Sequence, residues 1–170
     1  IQVLMAKNCP KSMEQLRQEK AIQAFQPLTQ ELNEKLLKRQ CTWFRYRIQN
    51  ATSDTVEYSR TNGSDRSDFY VFRGDKLLGH YVIGRLVPTA QKSGFKLANA
   101  FSLKLSPGEV LTIYQKSFYL FPREIPNPYK IGLLHTATLR EEVLKQYEDY
   151  VHKDYYFISF FAGMLGLAFL

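Results

Sequence analysis

The chain has 170 residues, which is enough for one domain of ordinary size with flanking elements. Its formal net charge is +7, but the Lys and Arg residues are scattered and form no tract longer than Lys38 and Arg39, so nucleic-acid binding is not indicated. Aromatic residues make up 14% of the chain, which favours a β-rich core or a ligand surface with exposed rings.

The first predicted element is a short helix over residues 11–25. Ser12 and Gln15 have the spacing of a capping box, and a loose apolar face follows them. Pro27 ends the helix, because proline lacks the main-chain N–H that a further turn needs.

From residue 42 the apolar period changes to two, which predicts a β-strand over residues 42–49. Successive side chains of a strand point to opposite faces, so the side chains of this strand fall into two sets, one on each face. The set expected to face the core is Phe44, Tyr46 and Ile48. The opposite set is Trp43, Arg45 and Arg47.

Turn signals separate a series of further short strands. They are predicted over residues 69–72, 77–83, 101–106, 110–119 and 129–134, with another beginning at Val56. We expect Leu103, Leu105, Leu111 and Ile113 to be buried with the core set above. No helical pattern interrupts the series, which is typical of an all-β antiparallel sandwich or barrel. This β-rich domain is assigned to residues 12–137.

The helical period returns in a predicted connecting helix over residues 138–154. Its apolar stripe consists of Leu139, Val143, Tyr147, Tyr150 and Val151. We expect the stripe to pack on the sandwich or on a second copy of the chain, which would give a homodimer. Residues 155–170 carry no charge, and we interpret them as the first part of a membrane helix, for which about 20 apolar residues are needed. The alternative is a terminal helix packed on the domain core.

The flank before the apolar run, residues 147–154, is slightly acidic. Basic residues accumulate on the cytoplasmic side of a membrane span. The preceding domain is therefore expected outside the cytoplasm. An exported domain permits a disulfide between Cys9 and Cys41, but a pair of free thiols is an equal alternative.

Catalytic and metal-binding signatures are missing. His80, His135 and His152 are far apart and lack ligand partners at helix or strand spacing. No nucleophile elbow or phosphate-binding loop occurs. We interpret Asp65 and Asp68 as part of a solvated turn in preference to a calcium site. The sequence therefore predicts no catalytic residue, no metal and no cofactor.

The best candidate for a binding surface is the strand face that carries Trp43, Arg45 and Arg47. An aromatic plane beside guanidinium donors suits a sugar ring or a carboxylated ligand. The alternative is that Trp43 belongs to the core and Arg45 makes a structural ion pair.

The order of several motifs resembles a known family. The motifs are AFQPL, TWFRYRIQN, DFYVF, KLLGHYVIG and FSLKLSPGEVLTIYQKS, followed by a charged helix that leads into the apolar run. Together they resemble the second type of periplasmic ligand-binding domain of bacterial seven-transmembrane receptors with diverse intracellular signalling modules. The resemblance extends from about residue 12 to residue 170.

The resemblance implies a jelly-roll β-sandwich like that of carbohydrate-binding modules, in the periplasmic part of an inner-membrane receptor. It also implies seven membrane helices and a cytoplasmic output domain, of which only the first helix would begin here. The expected function is the sensing of a carbohydrate or another small polar molecule, with the signal passed through the C-terminal helix. The alternative is a protein-interaction module of the cell envelope. An enzyme ranks last, because no supported carboxylate pair is present, and the family motifs carry over no binding residue.

Overall fold

The computed structural model describes residues 1–4, 9–18, 21–29, 32, 40–61, 64–97, 99–120 and 149. Within these residues the chain is mostly β, with one short α-helix. The elements are β1 (Gln2–Leu4), α1 (Met13–Gln18), a 3-10 helix (Ala21–Ala24), β2 (Phe25–Pro27), β3 (Cys41–Gln49), β4 (Val56–Thr61), β5 (Arg66–Arg73), β6 (Lys76–Ile83), a second 3-10 helix (Thr89–Gln91), β7 (Ala100–Leu105) and β8 (Val110–Phe118).

The strands form two antiparallel sheets. The larger sheet has the order β2-β1-β3-β8-β5-β6, and the smaller sheet pairs β4 with β7. Strand β3 is hydrogen-bonded along its whole length to β8, from Cys41 opposite Phe118 to Gln49 opposite Val110. The predicted strands from β3 to β8 are confirmed. Strands β1 and β2 were not predicted, because three residues are too few to show an alternation.

A first apolar cluster fills the space between the two sheets. Its buried members are Phe69, Val71, Ile83, Phe101, Leu103, Leu105, Leu111 and Ile113. Tyr46 and Ile48 of β3 are partly buried and pack against it. The predicted inward positions are confirmed by this cluster for β7, for β8 and for Tyr46 and Ile48 of β3. Phe44, also predicted to face inward, is half-buried and does not belong to the cluster.

A second apolar cluster lies on the opposite side of the larger sheet, under the described residues of 1–29, which we call the N-terminal cover. The cluster consists of Leu4, Met13, Leu16, Phe25, Trp43 and Phe72. The larger sheet is therefore buried on both faces where the N-terminal cover lies across it.

The predicted helix over residues 11–25 is wrong in its extent. Helix α1 ends at Gln18, and Phe25 begins β2, which pairs with β1. Residues Ala21–Ala24 form a 3-10 helix, and pairing with β1 takes the place of helical bonds only from Phe25. The start of the helix follows the predicted capping pattern, since the Gln15 N–H donates to Ser12 Oγ at 3.2 Å.

A disulfide joins Cys9 to Cys41, with their Cα atoms 6.1 Å apart. It ties the N-terminal cover to the first residue of β3. The sequence had left the pairing of these two cysteines open.

Several predictions fall outside the residues that the structure describes. They are the strand over residues 129–134, the connecting helix over 138–154, the apolar run over 155–170 and the domain limit at 137. In the described ranges, no helix is long and apolar enough to cross a membrane.

We predict that Ile113→Ala lowers the free energy of unfolding by about 2–5 kcal/mol, because the substitution opens a cavity in the cluster between the sheets. Urea denaturation measures the change. Lys104→Ala, on the exposed face of β7, is the control and should change stability by less than about 0.5 kcal/mol. Equal destabilisation by the two variants would contradict the assigned core.

Candidate functional site

A cavity of about 580 Å³ opens on the outer face of the larger sheet. Its lining residues are Ile1, Gln2, Arg45, Tyr46, Arg47, Thr112 and Tyr114. They come from β1, β3 and β8 and from the residue before β1. The cavity therefore lies at the centre of the sheet's strand order, beside the N-terminal cover.

The strand register explains why polar side chains converge here. Gln2 lies opposite Arg45, and Arg45 lies opposite Tyr114 on the next strand. Arg47 lies opposite Thr112. Residues directly opposite one another in antiparallel strands point to the same face. The five side chains consequently form two adjacent rows on one face.

Arg45 is held in place by neutral partners. Its Nε donates to Gln2 Oε1 at 2.7 Å, and one terminal nitrogen donates to the Ile22 carbonyl oxygen at 3.2 Å. Its guanidinium carbon lies 5.0 Å from the centroid of the Phe25 ring. Arg45 thus connects the cavity to β1 through Gln2 and to the segment around Ile22 and Phe25. Among the described residues it makes no ion pair, which was the alternative expected from the sequence.

Arg47 is exposed, and its guanidinium has no hydrogen-bond or ion-pair partner within the part of the chain that the structure describes. It lies two residues beyond Arg45 on the same strand face. The cavity therefore contains one oriented arginine and one unpaired arginine.

Trp43 is buried, with 1% of its surface exposed. Its Nε1–H donates to the Pro10 carbonyl oxygen at 2.9 Å, and its ring stacks on Tyr70 with centroids 5.9 Å apart. Trp43 shares the predicted face with Arg45 and Arg47, but the N-terminal cover encloses its ring. Its predicted role as an exposed ligand platform is therefore wrong, and the alternative of a core residue is correct.

Tyr114 supplies the aromatic ring at the cavity instead. Tyr114 was not among the site residues predicted from the sequence. The alternation of β8 nevertheless places Tyr114 and Thr112 on the face opposite the buried Ile113. What the sequence did not reveal is the register, which places Tyr114 beside Arg45 rather than beside another residue of β3.

A polar cluster lies further along the same face, around Asp68. His80 Nε2 is 3.1 Å from Asp68 Oδ1, and Arg66 Nε donates to Asp68 Oδ2 at 3.0 Å. The His80 ring stacks on Tyr70 with centroids 4.3 Å apart. The cluster fixes the ends of β5 and β6 by ion pairing and stacking.

The interpretation of Asp65 and Asp68 as a solvated turn is wrong, because both residues are buried. Asp65 pairs with Arg85 and accepts the Leu120 N–H at 2.8 Å. Both carboxylates thus have structural partners. No group of His, Cys, Asp and Glu suited to hold a metal occurs among the described residues.

Burial by itself would raise the pKa of the Asp68 carboxyl. Hydrogen bonds from His80 and Arg66, together with their charges, outweigh burial and hold the pKa at about 2, below its ordinary value of 3.8. Burial also raises the pKa of the neighbouring Tyr70 hydroxyl and lowers that of the Lys116 ammonium. The Asp68 carboxylate is therefore a stabilising charge of the folded state.

The structure is that of an antiparallel β-domain with a cavity lined largely by polar residues. Residues 1–118 match the family model described as 7TMR-DISM extracellular 2, and the chain belongs to this family. It is accordingly an extracellular, periplasmic sensor domain of a seven-transmembrane receptor, as the motif order had suggested. No curated protein shows significant similarity to the chain.

We predict that Asp68→Asn is less stable than the wild-type protein by an amount that depends on pH. A depressed folded-state pKa stabilises the protein above the ordinary pKa, and the stabilisation is lost as the pH falls toward about 2. The difference between wild type and variant, at most about 2 kcal/mol, should be constant above about pH 5 and shrink as the pH falls below that. Urea titrations at a series of pH values measure it, and a difference that persists unchanged at pH 2 would contradict the assignment.

Proposed function

We propose that this domain senses a small polar molecule, such as a carbohydrate or a carbohydrate derivative, in the cavity beside Arg45 and Arg47. The observation that carries the proposal is the cavity itself, in which two arginines, a threonine and a tyrosine converge on a face of the central strands. Its volume of about 580 Å³ is in the range of ligand pockets, which is about 300–1,000 Å³.

We also propose that the domain is a jelly-roll sandwich. Two antiparallel sheets that share one core are compatible with the jelly-roll sandwich of carbohydrate-binding modules. The domain has no catalytic role in this proposal, and any enzymatic output would come from cytoplasmic parts of the receptor.

The signal would leave through the segment after residue 137 and pass into the membrane helix proposed for residues 155–170. A ligand shifts a conformational equilibrium only by its differential affinity for the two states. The cavity meets this requirement through Arg45, because Arg45 contacts Gln2 and the Ile22 carbonyl as well as the cavity. A ligand that engages Arg45 would therefore change the contacts of the N-terminal cover.

A second candidate function is contact with another protein of the envelope. Strand β6 ends the larger sheet in the described part of the chain, and Leu77 and Leu78 on it are 48% and 41% exposed. An exposed edge strand with apolar side chains is suited to pairing with another chain. This function requires no small ligand in the cavity.

We predict that at least one member of a panel of neutral sugars, acidic sugars and organic acids raises the melting temperature of the 170-residue chain in a saturable manner. A ligand at 100 times its Kd adds about 2.7 kcal/mol to the free energy of unfolding. Tyr114→Ala should abolish the shift, because its ring lines the cavity. Tyr119→Ala, outside the cavity, is the matched control and should retain it. If no compound shifts the wild-type protein, the envelope-contact function is favoured.

A further inference from the structure

We propose that the cavity selects ligands by a compact anionic group, a carboxylate or a sulfate, carried on a small hydroxylated molecule. This inference rests on the proposed ligand-sensing function and specifies the chemical class of the ligand. Two observations support it. The cavity wall is positively charged, and its two arginines differ in their hydrogen-bond partners.

Among the residues that the structure describes, the wall of the cavity is positively charged and has no acidic member. Of its seven lining residues two are arginines and none is acidic. The acceptors that bind Arg45 are an amide oxygen and a backbone carbonyl oxygen, neither of which neutralises its charge. The acidic residues whose ion pairs are described, among them Asp65 and Asp68, bind other bases. An anion entering the cavity thus meets two uncompensated positive charges.

The two guanidinium groups have different roles. Arg45 is oriented by two hydrogen bonds and by the Phe25 ring, so little side-chain freedom remains to be lost when it binds a ligand. Its second terminal nitrogen has no acceptor within the described ranges. Arg47 is exposed and has no hydrogen-bond or ion-pair partner among the described residues. The two Cα atoms are about 7 Å apart, given a strand rise of about 3.3 Å per residue.

This spacing suits an anionic group bound between two arginines. Guanidinium groups bind carboxylates and other oxyanions through planar pairs of hydrogen bonds, which are shorter and stronger than bonds between neutral groups. A positively charged ligand would be repelled by the same pair. A neutral sugar would leave Arg47 with only weak partners, so it would gain little from this part of the wall.

The residues that β8 contributes to the cavity indicate the chemistry of the remainder of the ligand. Thr112 pairs with Arg47 and Tyr114 pairs with Arg45, and both line the cavity. The Tyr114 ring also packs against the Phe25 and Phe72 rings. Hydroxyl groups donate and accept hydrogen bonds, and an aromatic face packs against the C–H surface of a sugar ring. A uronic acid or a sulfated sugar combines these features.

The test is a titration of the 170-residue chain with matched probes on three sugar scaffolds, gluco, galacto and manno. Each scaffold is supplied as the neutral sugar, the uronate, the 6-sulfate and the 2-amino sugar, and binding is measured by calorimetry and by NMR shifts at the cavity residues. Inorganic sulfate and acetate separate binding of the anionic group from binding of the whole sugar. We expect an acidic member to bind at least about tenfold more tightly than its neutral counterpart, as one charge-assisted contact implies.

The variant Arg47→Gln should remove this preference and weaken the acidic ligand by about tenfold or more. Arg17→Gln, which removes an exposed arginine of α1 outside the cavity, is the charge-matched control and should leave binding unchanged. Higher ionic strength should weaken the acidic ligand and not the neutral one. Melting temperatures of both variants verify that the fold is retained.

Two results would overturn the inference while leaving the sensing function in place. One is a neutral sugar that binds in the cavity as tightly as its uronate and its sulfate. The other is acidic-ligand binding that Arg47→Gln does not weaken, since the anion would then bind elsewhere. If none of the probes binds the wild-type chain at the cavity, the proposed sensing site fails, and the inference fails with it.

Discussion

The structure depends on the alternation of side chains along β3. One set of its residues enters the core between the two sheets, where Tyr46 and Ile48 pack. The other set faces the N-terminal cover, which buries Trp43 but leaves Arg47 exposed. The strand thus has two buried faces at one end and a single buried face at the other. The cavity forms at this change of environment, where the N-terminal cover ends.

Several independent contacts hold the N-terminal cover on β3. The disulfide joins Cys9 to the start of the strand, and the Trp43 indole donates to the Pro10 carbonyl. β1 adds main-chain hydrogen bonds along the edge of β3, from Leu4 opposite Trp43 to Gln2 opposite Arg45. The β1 pairing ends with Gln2 opposite Arg45, and Arg45 also donates hydrogen bonds to Gln2 and to the Ile22 carbonyl, so the position of this arginine is tied to that of the N-terminal cover. A ligand at Arg45 therefore acts on a defined structural unit.

Polar groups in the interior hold β8 against its neighbours. Gln115 Nε2 donates to Ser117 Oγ at 2.8 Å, and Ser117 is hydrogen-bonded to Ser67 of β5 at the same distance. Gln115 also accepts a hydrogen bond from the buried Arg60 at 3.2 Å. Buried polar groups are costly to leave unpaired, so a displacement of β8 would break its side-chain bonds to Ser67 of β5 and Arg60 of β4. The positions of Thr112 and Tyr114 next to the two arginines follow from the pairing of β8 with β3.

The sequence predicted the features that depend on local patterns. A period of two identified β3 to β8, and it assigned Leu103, Leu105, Leu111 and Ile113 to the core. It also placed Trp43, Arg45 and Arg47 on a common face. The features that it missed depend on contacts between distant residues. Trp43 is covered by a carbonyl 33 positions earlier in the chain, and β1 and β2 exist only because they pair with each other and with β3. Asp65 likewise has partners in Arg85 and Leu120, which the residues around the turn do not reveal.

The central claim is that the N-terminal cover encloses Trp43 and leaves only the arginine end of β3 open to a ligand. Trp43 is the single tryptophan of the chain, so its fluorescence reports this directly. Acrylamide quenching of the oxidised, folded protein should be far weaker than quenching of the unfolded chain, and a bound probe should leave it unchanged. Quenching of the folded protein as strong as that of the unfolded chain, or protection of Trp43 by a ligand, would contradict the account.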